Sequence, residues 1–297
     1  MNRFAALLDM PPRDVLRLLR RRLSPGSPAW TTDELLAASS KHRRGDRLND
    51  TLLRWSHVTR ARFGRDLADF TGRRVLEIGC GPLGGFGPAA LFLGAAWVDA
   101  VDPEFDAGIL AHPRIAGEYV PALHDDLVAV FGMRMELDAF AQALRTRLTA
   151  HRATLAAARP AAAPDLVLSL SCLEHVFPLD SVPAALAGLG GARLAQLHLV
   201  DFSNHYPTRG PFDGLYDAPP EAYLARRGYA INLARPRDVV AAFAAHGMAL
   251  ETLARRRGAP PAGTTPDAWW TGRYAADELE THTALFAAPG AIARATP

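Results

Sequence analysis

Val75-Leu76-Glu77-Ile78-Gly79-Cys80-Gly81-Pro82-Leu83-Gly84 is the stretch that decides the fold. Residues 74–79 form a short run of apolar and β-branched side chains, the pattern of a buried strand. Glycines follow directly, and then an apolar run to about Leu93 that reads as a helix. A strand, a glycine turn and a helix let the chain bend sharply and let a ligand approach the backbone. The N–H groups that open such a helix can receive the ligand's polar groups. Residues 96–101 read as the next strand, which ends at Asp102. A carboxylate there can accept both hydroxyl hydrogens of a ribose.

The same pattern continues outward. Residues 110–120 are expected to hold a short third strand, and residues 125–158 one or two helices rich in Ala, Leu and Arg. Residues 165–170 (DLVLSL) read as a strongly buried strand, 182–189 as a helix and 192–200 as a further strand. Residues 203–231 are irregular. Residues 236–246 read as a helix with Pro236 in its first turn, ending before Gly247. Residues 248–254 and 280–287 complete the strands. Alternating strands and helices imply a largely parallel sheet covered on both faces.

Two helical stretches precede the sheet. Residues 11–23 place Val15, Leu16, Leu19 and Leu23 at helical spacing, with Arg13, Arg17, Arg20 and Arg21 opposite; a packing arm with a solvated face is the expectation. Residues 32–70 form a second helical stretch, broken near Gly45, with Leu52, Trp55, Phe63 and Leu67 as its buried side. This extension, residues 1–70, is placed to cap the cofactor or bind substrate, and residues 71–297 form the main domain.

Composition excludes several classes. The chain has 297 residues, 49% hydrophobic and 22% charged, with a formal net charge of +2. No field of one sign marks it as a nucleic-acid binder. No run approaches the ~20 apolar residues of a membrane span, and no signal-peptide h-region stands at residues 1–10. Two cysteines, Cys80 and Cys172, make no disulfide framework. A cytoplasmic protein is expected. The ten histidines show no tight Cys/His spacing, so no metal is expected.

Gly79, Gly81 and Gly84 also spell the dinucleotide fingerprint, with an acid about twenty residues on. An NAD-dependent oxidoreductase is therefore the competing reading. Glu77 weighs against it, because a carboxylate beside the first glycine suits a cationic ligand and suits a pyrophosphate poorly. No Lys or Arg occurs between Arg74 and Arg114, while Glu77, Asp99, Asp102, Glu104 and Asp106 do. A non-catalytic protein that binds cofactor on the same fold is a third reading.

VLEIGCGPLG followed by AVDPE resembles the cofactor half of class I S-adenosylmethionine-dependent methyltransferases. DLVLSLSCLEHV is similar to that family's fourth strand and the segment after it. HLVDFSNH is similar to its fifth strand in methyltransferases of bacterial glycan or natural-product pathways. The resemblance covers roughly residues 70–290. It implies an α/β, Rossmann-like doubly wound, mostly parallel seven-stranded sheet with an N-terminal helical extension. It implies O-methylation of a small molecule, a sugar or natural-product scaffold, with S-adenosyl-L-methionine as cofactor and a homodimer as an allowed assembly. Glu77, Gly79, Cys80, Gly81 and Gly84 would line the methionine part, Asp102 would hold the ribose, and Pro103 would lie beside the adenine. Ser171 and Cys172 would sit near the methionine end. Two departures stand out: Leu83 occupies the usual third-glycine position, and the adenine contact after the third strand has only His124, Asp125 and Asp126 as nearby candidates.

Ligands of open parallel sheets sit beyond the carboxyl ends of the strands. His175 follows the fourth strand; Asp201, Asn204, His205 and Tyr206 follow the fifth. An oxygen acceptor needs a base for its proton, and His205, with Asp201 and His175, is the expected base. Residues 203–232 are the expected substrate lid, in which Tyr206, Arg209 and Tyr216 form an aromatic and polar pocket and Arg209 clamps an anionic group. Trp269 and Trp270 are expected in the core or at a dimer contact.

Overall fold

The computed structural model describes residues 30–43, 45–106, 108–205, 210–227, 231–258 and 265–290, the side chains of 39–50 and 227 aside. The arm at 11–23, and Tyr206 and Arg209 of the expected lid, lie outside the described residues.

Seven strands form one sheet in the order β3-β2-β1-β4-β5-β7-β6. They are β1 (Arg74–Ile78), β2 (Trp97–Val101), β3 (Leu148–His151), β4 (Leu166–Leu170), β5 (Ala195–Asp201), β6 (Glu251–Arg257) and β7 (Thr281–Ala288). The pairs from β3 to β5 are parallel, whereas β7 runs antiparallel to both β5 and β6. This is the Rossmann-like, mostly parallel architecture expected from the sequence.

The central strands are mostly apolar because both faces are covered. Successive side chains alternate between faces. Val75, Leu168 and Leu285 join one core cluster, while Leu76, Val167 and Phe286 join another across the sheet. The first cluster is closed by helices α1 (Thr32–Arg43), α2 (Gly45–Phe63), α3 (Gly87–Phe92), α4 (Val120–Phe131) and α5 (Leu137–Arg147). Leu35, Leu52 and Trp55 of α1 and α2 are buried in it, and the Trp55 ring lies 5.7 Å from Phe86 at the glycine turn. The N-terminal extension therefore shares its core with the sheet. The second cluster is closed by α6 (Ser181–Leu189) and α8 (Pro236–Ala244); between these in sequence lies α7 (Pro220–Arg227).

The third strand is not where the sequence suggests. Residues 110–120 form a 3-10 turn, Ile109–Ala111, and a π-helical turn, Ile115–Tyr119, that leads into α4. The strand is Leu148–His151, inside the stretch expected to be helical, and it follows α5 without a loop. Its four residues are all only half-buried, as befits the edge of the sheet. Four residues are too few for a period to declare itself beside a strong helical pattern.

A third cluster, of Phe212, Leu215, Tyr216, Tyr223, Trp270 and Tyr274 among others, fills the C-terminal end. Arg235 stands at its centre, 1% exposed. Its guanidinium donates to the Phe202 carbonyl at 3.0 Å, the Tyr216 hydroxyl at 2.8 Å and the Leu233 carbonyl at 3.3 Å. It also lies 5.3–5.9 Å from the ring centres of Phe202, Tyr216 and Trp270. Neutral acceptors and aromatic faces thus solvate a buried cation. Asp238 caps the following helix by accepting the Arg235 N–H at 2.8 Å. Arg235→Ala should lower stability by about 3 kcal/mol, because it empties a large buried volume and strands three acceptors. Urea unfolding measures this; a loss below about 1 kcal/mol would show that the cluster does not depend on the cation.

Candidate functional site

The glycine turn lies at the carboxyl ends of β1 and β2, held by two carboxylates. Glu77, 2% exposed, accepts hydrogen bonds from the Phe86 N–H at 2.9 Å and the Gly87 N–H at 2.8 Å, at the start of α3. Asp102 accepts from the Gly81 N–H at 2.8 Å and the Glu104 N–H at 2.7 Å. The Gly79 N–H donates to the Val101 carbonyl at 2.8 Å, which ties the turn to β2. Burial pushes the Glu77 carboxyl up to about 8, against the pull of its two N–H partners, and the nearby charge of Asp102 adds to the rise.

Glycine is needed at two points of this turn. Gly79 has a φ of +74°, and a Cβ there would overlap the Cys172 sulfur. Cys80 and Cys172 are free thiols. Gly81 has a φ of +69°, and a Cβ would meet nothing within 4 Å. The backbone at Gly81 is therefore open to a ligand's approach. Gly84 lies farther round the turn, against Phe105 and Pro88. Pro103 is exposed between Asp102 and Glu104.

These residues fit an adenosyl sulfonium. Asp102 and Glu104 stand at the end of β2, next to an open glycine backbone. A carboxylate can accept about four hydrogen bonds, so the two backbone bonds to Asp102 do not exhaust it. Trp30, just before α1, donates its indole N–H to Glu104 Oε2 at 3.1 Å. The N-terminal extension thus reaches the rim of this crevice. Glu77 differs from its expected role as a direct lining residue: its carboxylate grips the turn from within.

His124, Asp125 and Asp126 are not an adenine contact. They lie on α4, because the third strand comes later. His124 is buried against Phe92 and Phe140 and hydrogen-bonded to the Met135 carbonyl at 2.7 Å. The stretch that follows β3 begins at Arg152.

A second group of side chains collects beyond β4 and β5. After β4 comes Ser171, at φ +47°, a left-handed conformation costly for a non-glycine residue. The 3-10 turn Leu173–His175 follows. The His175 and His205 ring centres lie 4.8 Å apart. Asp201 Oδ2 is 3.8 Å from His205 Nε2, and Asp201 Oδ1 is 3.8 Å from His282 Nε2. Burial lowers the His205 pKa below the ordinary imidazole value, and His175 lowers it further, while Asp201 opposes. Glu174, between Leu173 and His175, is buried with its carboxyl pushed up to about 8 by that burial. The expected trio His175, Asp201 and His205 is therefore brought together, and Glu174 and His282 join it. Neither addition is visible in sequence: the burial of Glu174 cannot be read from its place beside His175, and His282 arrives only through the pairing of β5 with β7.

Asn232 fixes the turn. Its side-chain amide donates to the Leu173 carbonyl at 2.7 Å and the Val176 carbonyl at 3.0 Å, and its N–H donates to the Glu174 carbonyl at 2.7 Å. Asn204, by contrast, is a staple: its amide donates to the Asp213 carbonyl at 2.6 Å and accepts from the Tyr223 hydroxyl at 3.1 Å. Tyr216, expected to line a substrate pocket, is a core residue. Its hydroxyl donates to the Leu279 carbonyl at 2.7 Å and accepts from Arg235. Trp270 is fully buried, with its indole donating to the Ala218 carbonyl at 2.8 Å.

No family model and no curated protein matches the chain. Several solved structures resemble it. An S-adenosylmethionine-dependent methyltransferase from Mesorhizobium loti is 19% identical over 80% of this chain and 98% of its own, with a TM-score of 0.44. An O-methyltransferase family protein from Burkholderia thailandensis is 14% identical over 96% and 71%, with a TM-score of 0.42. The 1,6-didemethyltoxoflavin-N1-methyltransferase of the same organism, bound to S-adenosylhomocysteine, is 14% identical over 95% and 91%, with a TM-score of 0.41. Likenesses this partial assign no activity to the chain.

The raised Glu77 pKa has a consequence for stability. An unfolded chain gives up this proton near 4.5, whereas the folded chain keeps it to about 8. Between those values the unfolded state binds fewer protons, so the folded state loses stability as pH rises. Glu77→Gln cannot ionise. From pH 5 to 8 the stability of the parent relative to this variant should fall by about 1.4 kcal/mol per pH unit. Urea unfolding across the range checks this, and a constant difference would mean that the buried carboxyl is ionised throughout.

Proposed function

We propose that the chain is an S-adenosylmethionine-dependent methyltransferase that acts on an oxygen of a small molecule. The observation that carries the reading is the open glycine turn at the end of β1, set against Asp102 and Glu104 at the end of β2. A cationic cofactor suits this setting, because no Lys or Arg lies between Arg74 and Arg114. A pyrophosphate gains less from it.

Bound there, S-adenosylmethionine supplies an electrophilic methyl group on a good leaving group. The rest falls to the chain. Asp102 accepts hydrogen bonds from the ribose hydroxyls. Backbone at Gly79 and Gly81 allows close approach, and Ser171 and Cys172 border the methionine end. Beyond β4 and β5, His175, Asp201 and His205 receive the acceptor. Aligning acceptor and methyl group can contribute roughly 7–11 kcal/mol. A base beside the acceptor oxygen takes its proton, a further gain of about 10²–10⁴-fold, and the His205–Asp201 pair is placed for that. Tyr206 and Arg209 are assigned to the acceptor pocket by sequence alone, because Phe212, Leu215, Tyr216 and Tyr223 of the same stretch are core. The free thiols Cys80 and Cys172 suit a reducing cytoplasm. Among the described residues, no helix is long and apolar enough to cross a membrane.

Isothermal titration of the full chain with S-adenosylhomocysteine and with NAD tests the cofactor. S-adenosylhomocysteine should bind and NAD should not; the reverse would replace this reading with an oxidoreductase. Asp102→Ala should weaken S-adenosylhomocysteine binding about tenfold or more, the value of a charge-assisted hydrogen bond or two. An unchanged affinity would remove Asp102 from the cofactor site. Asn232→Ala should lower kcat more than cofactor affinity, because it releases the turn that carries Glu174 and His175; equal losses in both would show a general loosening of the fold.

A further inference from the structure

Glu174 poses a physical problem that the proton-transfer role leaves unanswered. It is 4% exposed, and among the described residues neither of its carboxylate oxygens has a well-formed hydrogen-bond partner; the backbone N–H groups of Glu174 itself and Asp201 lie near, as does the Asp201 charge. A buried carboxylate without partners is costly unless something satisfies it. What faces it is a pair of imidazoles. One ligand atom from each of Glu174, His175 and His205 lies within 4.8 Å of the other two. Donors about 2.1 Å from a common tetrahedral ion stand about 3.4 Å apart, so side-chain adjustments of up to about 1 Å close the set.

We propose that Glu174, His175 and His205 bind one first-row divalent transition-metal ion, and that the open side of this ion takes the oxygen of the methyl acceptor. The donor set decides the class of ion. Two imidazole nitrogens and one carboxylate oxygen suit Zn²⁺, Co²⁺ or Fe²⁺, whereas Mg²⁺ and Ca²⁺ prefer oxygen throughout. Three protein ligands leave a position free, the mark of a site that handles substrate rather than one that only braces the fold. Glu174 is buried, while both histidines are exposed, so that position faces outward.

The acceptor half of this inference rests on the methyl-transfer reading; the metal site stands without it. With a hydroxyl acceptor on the ion, the O–H bond breaks and its proton passes to the Asp201 carboxylate. The oxygen lone pair forms the new C–O bond as the methyl carbon–sulfur bond breaks, and the electron pair of that bond stays on sulfur. The ion keeps its oxidation state.

The test is titration of chelator-treated, full-length protein with Co²⁺, followed by visible absorption, and with Zn²⁺, followed by calorimetry. One equivalent should bind per chain, with the absorption of a low-coordinate nitrogen and oxygen site. Glu174→Gln and His175→Ala should each weaken binding by more than about 100-fold, beyond the roughly 10–100-fold cost of losing an orienting neighbour. Both variants should keep S-adenosylhomocysteine affinity and thermal stability; if the buried Glu174→Gln does not fold, the exposed His175→Ala carries the reading. His246→Ala, at a histidine hydrogen-bonded to Asp180 elsewhere, should bind the ion as the parent does. Failure of the parent to bind either ion, or undiminished binding by His175→Ala, overturns the metal site. A parent that binds metal but not S-adenosylhomocysteine overturns the methyl-transfer reading and leaves the metal site in place.

Discussion

The Glu77 carboxylate reaches the Phe86 and Gly87 N–H groups from inside an almost dry pocket, and the shape of the glycine turn follows from that reach. The first N–H groups of a helix lack partners within it, and here a side chain of the preceding strand supplies them. The turn between strand and helix is thereby closed on itself, without a cap from its own residues. Asp102 does the complementary work from β2, holding Gly81 and Glu104. One acid shapes the turn and the other faces what the turn encloses. Burial is the main reason that the Glu77 carboxyl keeps its proton to about 8, with the Asp102 charge a smaller contribution.

The glycine turn and its two acids are readable in sequence because they are local. Strand, turn, helix and the Asp102 position all lie within residues 74–102, and each has a pattern of its own. The central strands are legible for the same reason: buried on two faces, they are mostly apolar. The third strand fails this test. Leu148–His151 is short, sits at the edge and continues directly from a helix, so nothing in its composition separates it from α5. Tyr216 fails differently. An aromatic residue in a Pro/Gly-rich stretch looks available to a ligand, but Arg235 turns that stretch into core by drawing three rings around its charge.

The acceptor end illustrates a limit of any linear reading. His175 and His205 are thirty residues apart in sequence, on the exits of adjacent strands, and become neighbours only because β4 pairs with β5. Glu174 is unremarkable in sequence beside His175, and its isolation shows only when burial and partners are known. His282 comes to Asp201 through the antiparallel pairing of β5 with β7. Asn232, from the far end of the lid region, then clamps the turn between them.

The antiparallel return of β7 gives the two halves of the crevice different dependence on chain completion. The glycine-turn half draws on β1, β2, the helix after the turn and Asp102–Glu104, with Cys172 packed against Gly79 from beyond β4. The opposite half draws on residues 174, 205, 232 and 282, so it exists only after the last strand has threaded between β5 and β6. The glycine turn thus draws mainly on residues early in the chain, while the cluster beyond β4 and β5 is completed by the last strand. A chain cut before β7 would keep the residues of the glycine turn but lose His282 and the strand that pairs with β5 at Asp201.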